Sequence, residues 1–148
     1  MYHPCMEPIE IFLCGVWTMV RDDEDTAWVK EIADSKPSGG LVSDHQEIIR
    51  RMLDAGVSER DIARLCRITG FETAQGILNM IDDPGAVYFE FKNHPRFKND
   101  PRYKEAPELS WCIQVFDEAG ADLGRLEGVH EEFESLDPTG REMGPPLD

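Results

Sequence analysis

The sequence predicts an α+β fold, a helical layer of four or five helices followed by a small antiparallel sheet. Three observations predict it. Apolar residues recur every three or four positions through the first 85 residues, alternation replaces that spacing over 87–91 and 111–116, and Pro84-Gly85 punctuates the change. At 148 residues one domain over 1–137 is expected, helical over 8–83 and strand-rich over 86–128, with 138–148 an extended tail rich in Pro and Gly. A chain of this size buries roughly 70% of the surface it exposes when unfolded, so a shared core is within reach.

The first helix is carried by Ile9, Phe12, Leu13, Val16, Trp17 and Val20, with Pro8 at a favoured first-turn position. The acidic run Asp22-Asp23-Glu24-Asp25 reads as a cap and a solvated turn. It leads into a second helix, from Thr26 to about Asp34, that turns Trp28 and Ile32 inward. Lys36-Pro37-Ser38-Gly39-Gly40 is a loop. Ser43 with Gln46 makes a capping box for a third helix, whose buried stripe is Ile48, Ile49, Met52 and Leu53 and whose stop is Gly56. Ser58, with Asp61 three residues on, caps a fourth helix with Ile62, Leu65 and Cys66 facing inward. Gly70 separates it from a fifth helix built on Ala74, Ile77, Leu78 and Ile81.

In the second half, Val87, Phe89 and Phe91 alternate with Tyr88 and Glu90 as a half-buried strand does. Trp111, Ile113 and Val115 alternate with Cys112, Gln114 and Phe116. The turn Asp117-Glu118-Ala119-Gly120 then leads into a hairpin partner over 122–127.

Charge bounds the function. Thirty Asp and Glu stand against 15 Lys and Arg, a formal net charge of -15. Residues 105–148 hold twelve of those acids and only two bases, Arg125 and Arg141. Such a surface repels nucleic-acid phosphates and anionic membranes and attracts basic partners. The stretch Gly56–Leu65, followed by Gly70 and another helix, has the outline of a helix-turn-helix. Its second helix, Glu72–Ile81, carries no Lys or Arg, so an ordinary helical hairpin is the better reading.

The longest apolar run, Ile11–Val20, has ten residues, about half of what a bilayer requires. Glu7 and Glu10 stand where a signal peptide carries bases, so a cytoplasmic protein is expected. Cys5, Cys14, Cys66 and Cys112 lack metal-binding spacing and are expected to be free, buried thiols. Nucleophile, phosphate-loop and dinucleotide motifs are missing, and neither a cofactor nor a metal is expected.

Two stretches carry candidate chemistry. His94-Pro95-Arg96-Phe97-Lys98-Asn99 is echoed by Asp100-Pro101-Arg102-Tyr103-Lys104-Glu105. This puts His94, Arg96, Lys98, Arg102 and Lys104 in the only basic island, Lys92–Lys104. Arginines beside aromatics suit a carboxylate or phosphate, although in so acidic a chain pairing with its own acids is the commoner use. The run His130-Glu131-Glu132 with Glu134 could form a metal-ligand pair or an acid–base couple if helical. Its usual role is a solvated acidic face.

The run Gly128-Val129-His130-Glu131-Glu132, continued by Leu136-Asp137-Pro138-Thr139-Gly140-Arg141-Glu142-Met143, resembles a family of small uncharacterised bacterial proteins with a domain of unknown function. The likeness covers about the last 38 residues well. It implies a bacterial cytoplasmic origin and no particular chemistry. Physically, Asp137-Pro138-Thr139-Gly140 has the residues of a β-turn.

The function expected from these features is a non-enzymatic interaction protein, immunity- or antitoxin-like, that presents Glu131, Glu132 and Glu134 to a basic protein. The alternative is a small enzyme or ligand-binding protein that holds an anion at loop 92–104. The oligomeric state is open.

Overall fold

The computed structural model describes residues 6–36, 41–85, 89, 93–96, 98–99 and 110–141, with only the backbone of 41–43. Among these residues it contains five α-helices, α1 (Pro8–Trp17), α2 (Ala27–Asp34), α3 (Leu41–Asp54), α4 (Glu59–Asp82) and α5 (Val129–Phe133). A two-stranded antiparallel sheet, β1 (Ile113–Phe116) and β2 (Asp122–Leu126), lies between α4 and α5 in the chain, and the 3-10 turn Glu134–Leu136 follows α5. The α+β layout, helices first and strands later, matches the sequence. No described helix is long and apolar enough to cross a membrane.

The chain divides into two compact units. One comprises Thr18–Thr73. Its core joins Val29 and Ala33 of α2 to Ile49 of α3 and Ile62 and Ala63 of α4, with Trp28, Ile32, Met52, Leu53 and Val57 packed around them. The inward face is rotated from the one periodicity predicts. Val29 and Ala33 lie deeper than Trp28 and Ile32, whereas Ile48 and Leu65 are exposed.

Two further corrections fall in this unit. Helix α3 begins at Leu41, so Ser43 lies within its first turn and is not its cap. Gln46 is buried and closes a different helix, donating from Nε2 to the carbonyls of Ala33 and Ser35 at the end of α2. Arg50 adds a 2.6 Å bond to the Ala33 carbonyl, so α3 satisfies carbonyls that the end of α2 leaves open. Likewise Asp23 is not part of a solvated turn. Asp22 and Asp25 do accept backbone N–H groups two residues on, but Asp23 is buried, with Arg64 Nη1 at 3.0 Å and Arg67 Nε at 3.6 Å.

Gly56 stops α3 as expected. At φ +86° it lets Gly56 and Val57 donate back to Leu53 and Met52, the pattern of a glycine-terminated helix. Ser58 then caps α4: its Oγ accepts the Asp61 N–H at 3.1 Å and donates to the Asp61 carboxylate at 2.6 Å. Gly70 does not interrupt. One helix runs through the positions where two were expected, because a lone glycine inside a long helical pattern lowers its stability without ending it. The helix-turn-helix outline disappears with the turn.

The other unit comprises Met1–Trp17 and Ala74–Glu142. Helix α1 buries Leu13 and Trp17, and the Glu10 carboxylate reaches back to the Glu7 N–H at 2.7 Å. It ends at Trp17, so Val20, though buried, is not on it. Trp17 stacks on Phe133 with centroids 4.6 Å apart and donates its indole N–H to the Phe133 carbonyl at 2.8 Å. Leu78, Leu126 and Val129 are the other deeply buried apolar residues, and Ile77 is exposed.

The hairpin forms where the alternation predicts it. Ile113 pairs with Leu126 and Val115 with Gly124, and a bulge brings Phe116 opposite Asp122. Asp117 ties the loop together by accepting the Ala119 and Ala121 N–H groups on Oδ1, with Gly120 at φ +83°. The strand expected around Phe89 does not form there. Phe89 is helical, 70% exposed, and its carbonyl accepts from Asn93 Nδ2 at 2.7 Å, while Val87 and Phe91 lie outside the described residues. The Asp137–Gly140 turn is present, closed by a 2.8 Å Gly140 N–H bond to the Asp137 carbonyl. The Asp137 carboxylate takes both the backbone N–H and the hydroxyl of Thr139.

Candidate functional site

Helix α4 ends on Asp82, an awkward place for an acid, since the negative end of the helix dipole lies there. The carboxylate serves another helix. Gly128, at φ +70°, opens α5 without a side-chain cap. Asp82 Oδ2 supplies one from far along the chain, accepting the backbone N–H of His130, 48 residues on, at 2.9 Å. The same oxygen meets His130 Nδ1 at 2.5 Å. Burial pushes the Asp82 carboxyl up, but the backbone N–H and ring of His130 and the N–H of Val129 outweigh it and hold the group below its ordinary value. An ionised Asp82 only accepts, so His130 Nδ1 carries a proton and donates to it. Gln75 fixes the same turn, donating from Nε2 to the His130 carbonyl at 2.9 Å.

His130 is about one-third exposed and lines an open cleft of about 460 Å³. Asp82, Trp111, Arg125, Glu127 and Glu131 share its walls. The Trp111 ring is held in place by its indole N–H, which donates to the Met80 carbonyl at 2.7 Å, and it remains 39% exposed. Neither the side chains of Glu127, Glu131 and Arg125 nor His130 Nε2 has a partner among the described residues. Cys112 also lines the cleft. Cys112 and Cys14 are exposed, contrary to the expectation of buried thiols, and Cys66 is half-buried. Among the described residues no three His, Cys, Asp or Glu side chains gather as a metal site.

The residues expected from sequence fall in three places. His94, Arg96 and Lys98 share one exposed turn, in which Arg96 N–H donates to His94 Nδ1 at 3.2 Å and Lys98 N–H to the His94 carbonyl at 2.9 Å. Arg102 and Lys104 lie outside the described residues. Glu131 and Glu132 are exposed on α5, and Glu134 is exposed on the 3-10 turn. The stretch is helical, as a His130–Glu134 couple requires, but the His130 ring pairs with Asp82.

Sequence reasoning misses Asp82, Trp111 and Glu127 as cleft residues. The acid at the C-terminal end of α4 is the one signal that points to this site.

In comparisons with known proteins, the chain matches no family model, no curated protein and no solved structure. Nothing in them bears on the resemblance carried by residues 128–143.

Proposed function

We propose that this chain is a non-enzymatic interaction protein that docks a basic protein, immunity- or antitoxin-like in character, in the bacterial cytoplasm. The observation that carries the reading is a hairpin and helix that expose apolar and acidic side chains along one segment. Phe116 and Leu123 are 58% and 54% exposed, and Trp111 lies just before β1. Asp117, Glu118, Asp122, Glu127, Glu131, Glu132 and Glu134 are exposed along the same segment. Exposed apolar side chains next to charged ones mark docking surfaces. Acid in this excess speeds encounter with a positive partner and is screened by salt.

Capture from a lysate of the source cells at low and high salt tests the reading, with the triple variant Glu131→Gln, Glu132→Gln, Glu134→Gln as control. A basic protein recovered stoichiometrically at low salt, released by salt and depleted by the variant supports it. An empty capture, or one that salt leaves unchanged, overturns it.

A further inference from the structure

The cleft beside His130 carries three carboxylates, Asp82, Glu127 and Glu131, together with Trp111. Trp111 lines the cleft with its N–H committed to Met80, so the ring brings apolar and π surface but no free donor. Asp82 is engaged with α5, and His130 turns Nδ1 to it, which leaves Nε2 without a partner among the described residues. Glu127 and Glu131 contribute two carboxylates with no partner among the described residues. Among the described residues that line it Arg125 is the one Lys or Arg, and its side chain likewise has no partner among them. The complement is a long side chain with a cationic, donor-rich head, attached to a group that offers an acceptor.

We infer that this cleft receives an arginine or lysine side chain of the basic partner, with the cationic head between Glu127, Glu131 and the Trp111 face and a partner backbone carbonyl on Arg125. The assignment rests on the docking reading above and names where that partner anchors. Desolvated cations gain most from a tryptophan face, and a carboxylate pair suits a guanidinium in two directions at once. The ring is already immobilised by its bond to Met80, so binding loses little further side-chain freedom. A cleft of about 460 Å³ has room for one such side chain and its flanking peptide groups.

The test is a titration of the full chain with Nα-acetyl-arginine amide, followed by the NMR signals of the Trp111 indole N–H and the His130 ring. The uncharged isostere Nα-acetyl-citrulline amide is the comparison. The arginine probe is expected to shift both signals in a saturable way and the citrulline probe to leave them in place. Glu127→Gln with Glu131→Gln, both exposed, should weaken the arginine probe about tenfold, the effect expected for losing two charge-assisted partners. Trp111→Phe, which keeps a ring face, should weaken it less than Trp111→Leu. Equal binding of citrulline, or unmoved cleft signals at tens of millimolar arginine probe, overturns the assignment even where lysate capture succeeds, because the partner then anchors elsewhere. Selective arginine binding supports the cleft even where capture returns nothing, and the failure then falls on the protein-partner reading alone.

Discussion

Asp82 Oδ2 accepts both the backbone N–H of His130, at 2.9 Å, and its ring Nδ1, at 2.5 Å, so one carboxylate starts a helix and holds a histidine ring. The arrangement has a pH signature. A carboxyl held below its ordinary value when folded contributes stability above the unfolded value, near 3.9 for aspartate, and loses it as pH falls through the folded value. Asp82→Asn should therefore cost about 1–3 kcal/mol at pH 7, and the gap to the parent should close below about pH 4. Arg125, Glu127 and Glu131 are common to both proteins and cancel in the difference. Urea denaturation of parent and variant from pH 7 to pH 2.5 measures it, and a gap constant over that range contradicts the account.

The acidic run before α2 divides into two kinds of residue. Asp23 is buried against Arg64 and Arg67, whereas Asp22 and Asp25 are exposed and each accept the backbone N–H two residues on. Removing one partner of a buried pair leaves the other charge uncompensated, so Asp23→Ala should cost about 3–5 kcal/mol. Asp22→Ala and Asp25→Ala should each cost about 1 kcal/mol or less. Thermal or urea unfolding of the three variants compares them directly, and equal costs would refute the division.

That contrast shows where sequence is legible. Local signals place the elements well: Pro8 opens α1, Gly56 closes α3, Ser58 with Asp61 starts α4, and Asp117–Gly120 turns the hairpin. Each acts within about four residues, and each is visible in the letters alone. Facing is less legible, because adjacent apolar residues such as Ile48 and Ile49 satisfy a helical stripe equally until a neighbour selects one. The site is least legible. Asp82 meets His130 across 48 positions and Trp111 meets Met80 across 31, and no local spacing announces either. Arg64 and Arg67, three apart on α4, hint at a shared buried acid, but only the fold identifies it as Asp23.

Trp17 and Phe133 make two separable contacts, ring on ring and indole N–H on carbonyl. Trp17→Phe keeps a stacking surface but removes the indole N–H bond to the Phe133 carbonyl, at a cost of about 1–3 kcal/mol plus the lost indole volume. Phe133→Ala removes a fully buried side chain and should cost about 3–5 kcal/mol. Denaturant titrations should rank Phe133→Ala as the more damaging, and the reverse order would mean that the hydrogen bond dominates the packing.

The glycines of α4 offer the opposite prediction, a gain. Gly70 and Gly76 lie inside one continuous helix, where glycine is about 0.5–1 kcal/mol worse than alanine. A Cβ at Gly76 would meet nothing within 4 Å. At Gly70 it would touch Val20 Cγ1 at 3.7 Å, an ordinary packing distance. Gly70→Ala and Gly76→Ala should thus each stabilise by about 0.5–1 kcal/mol, and together by roughly the sum. The result also tests the continuity of α4. Were a turn present at residue 70, alanine there would bring no gain, and Gly76→Ala alone would raise the melting temperature.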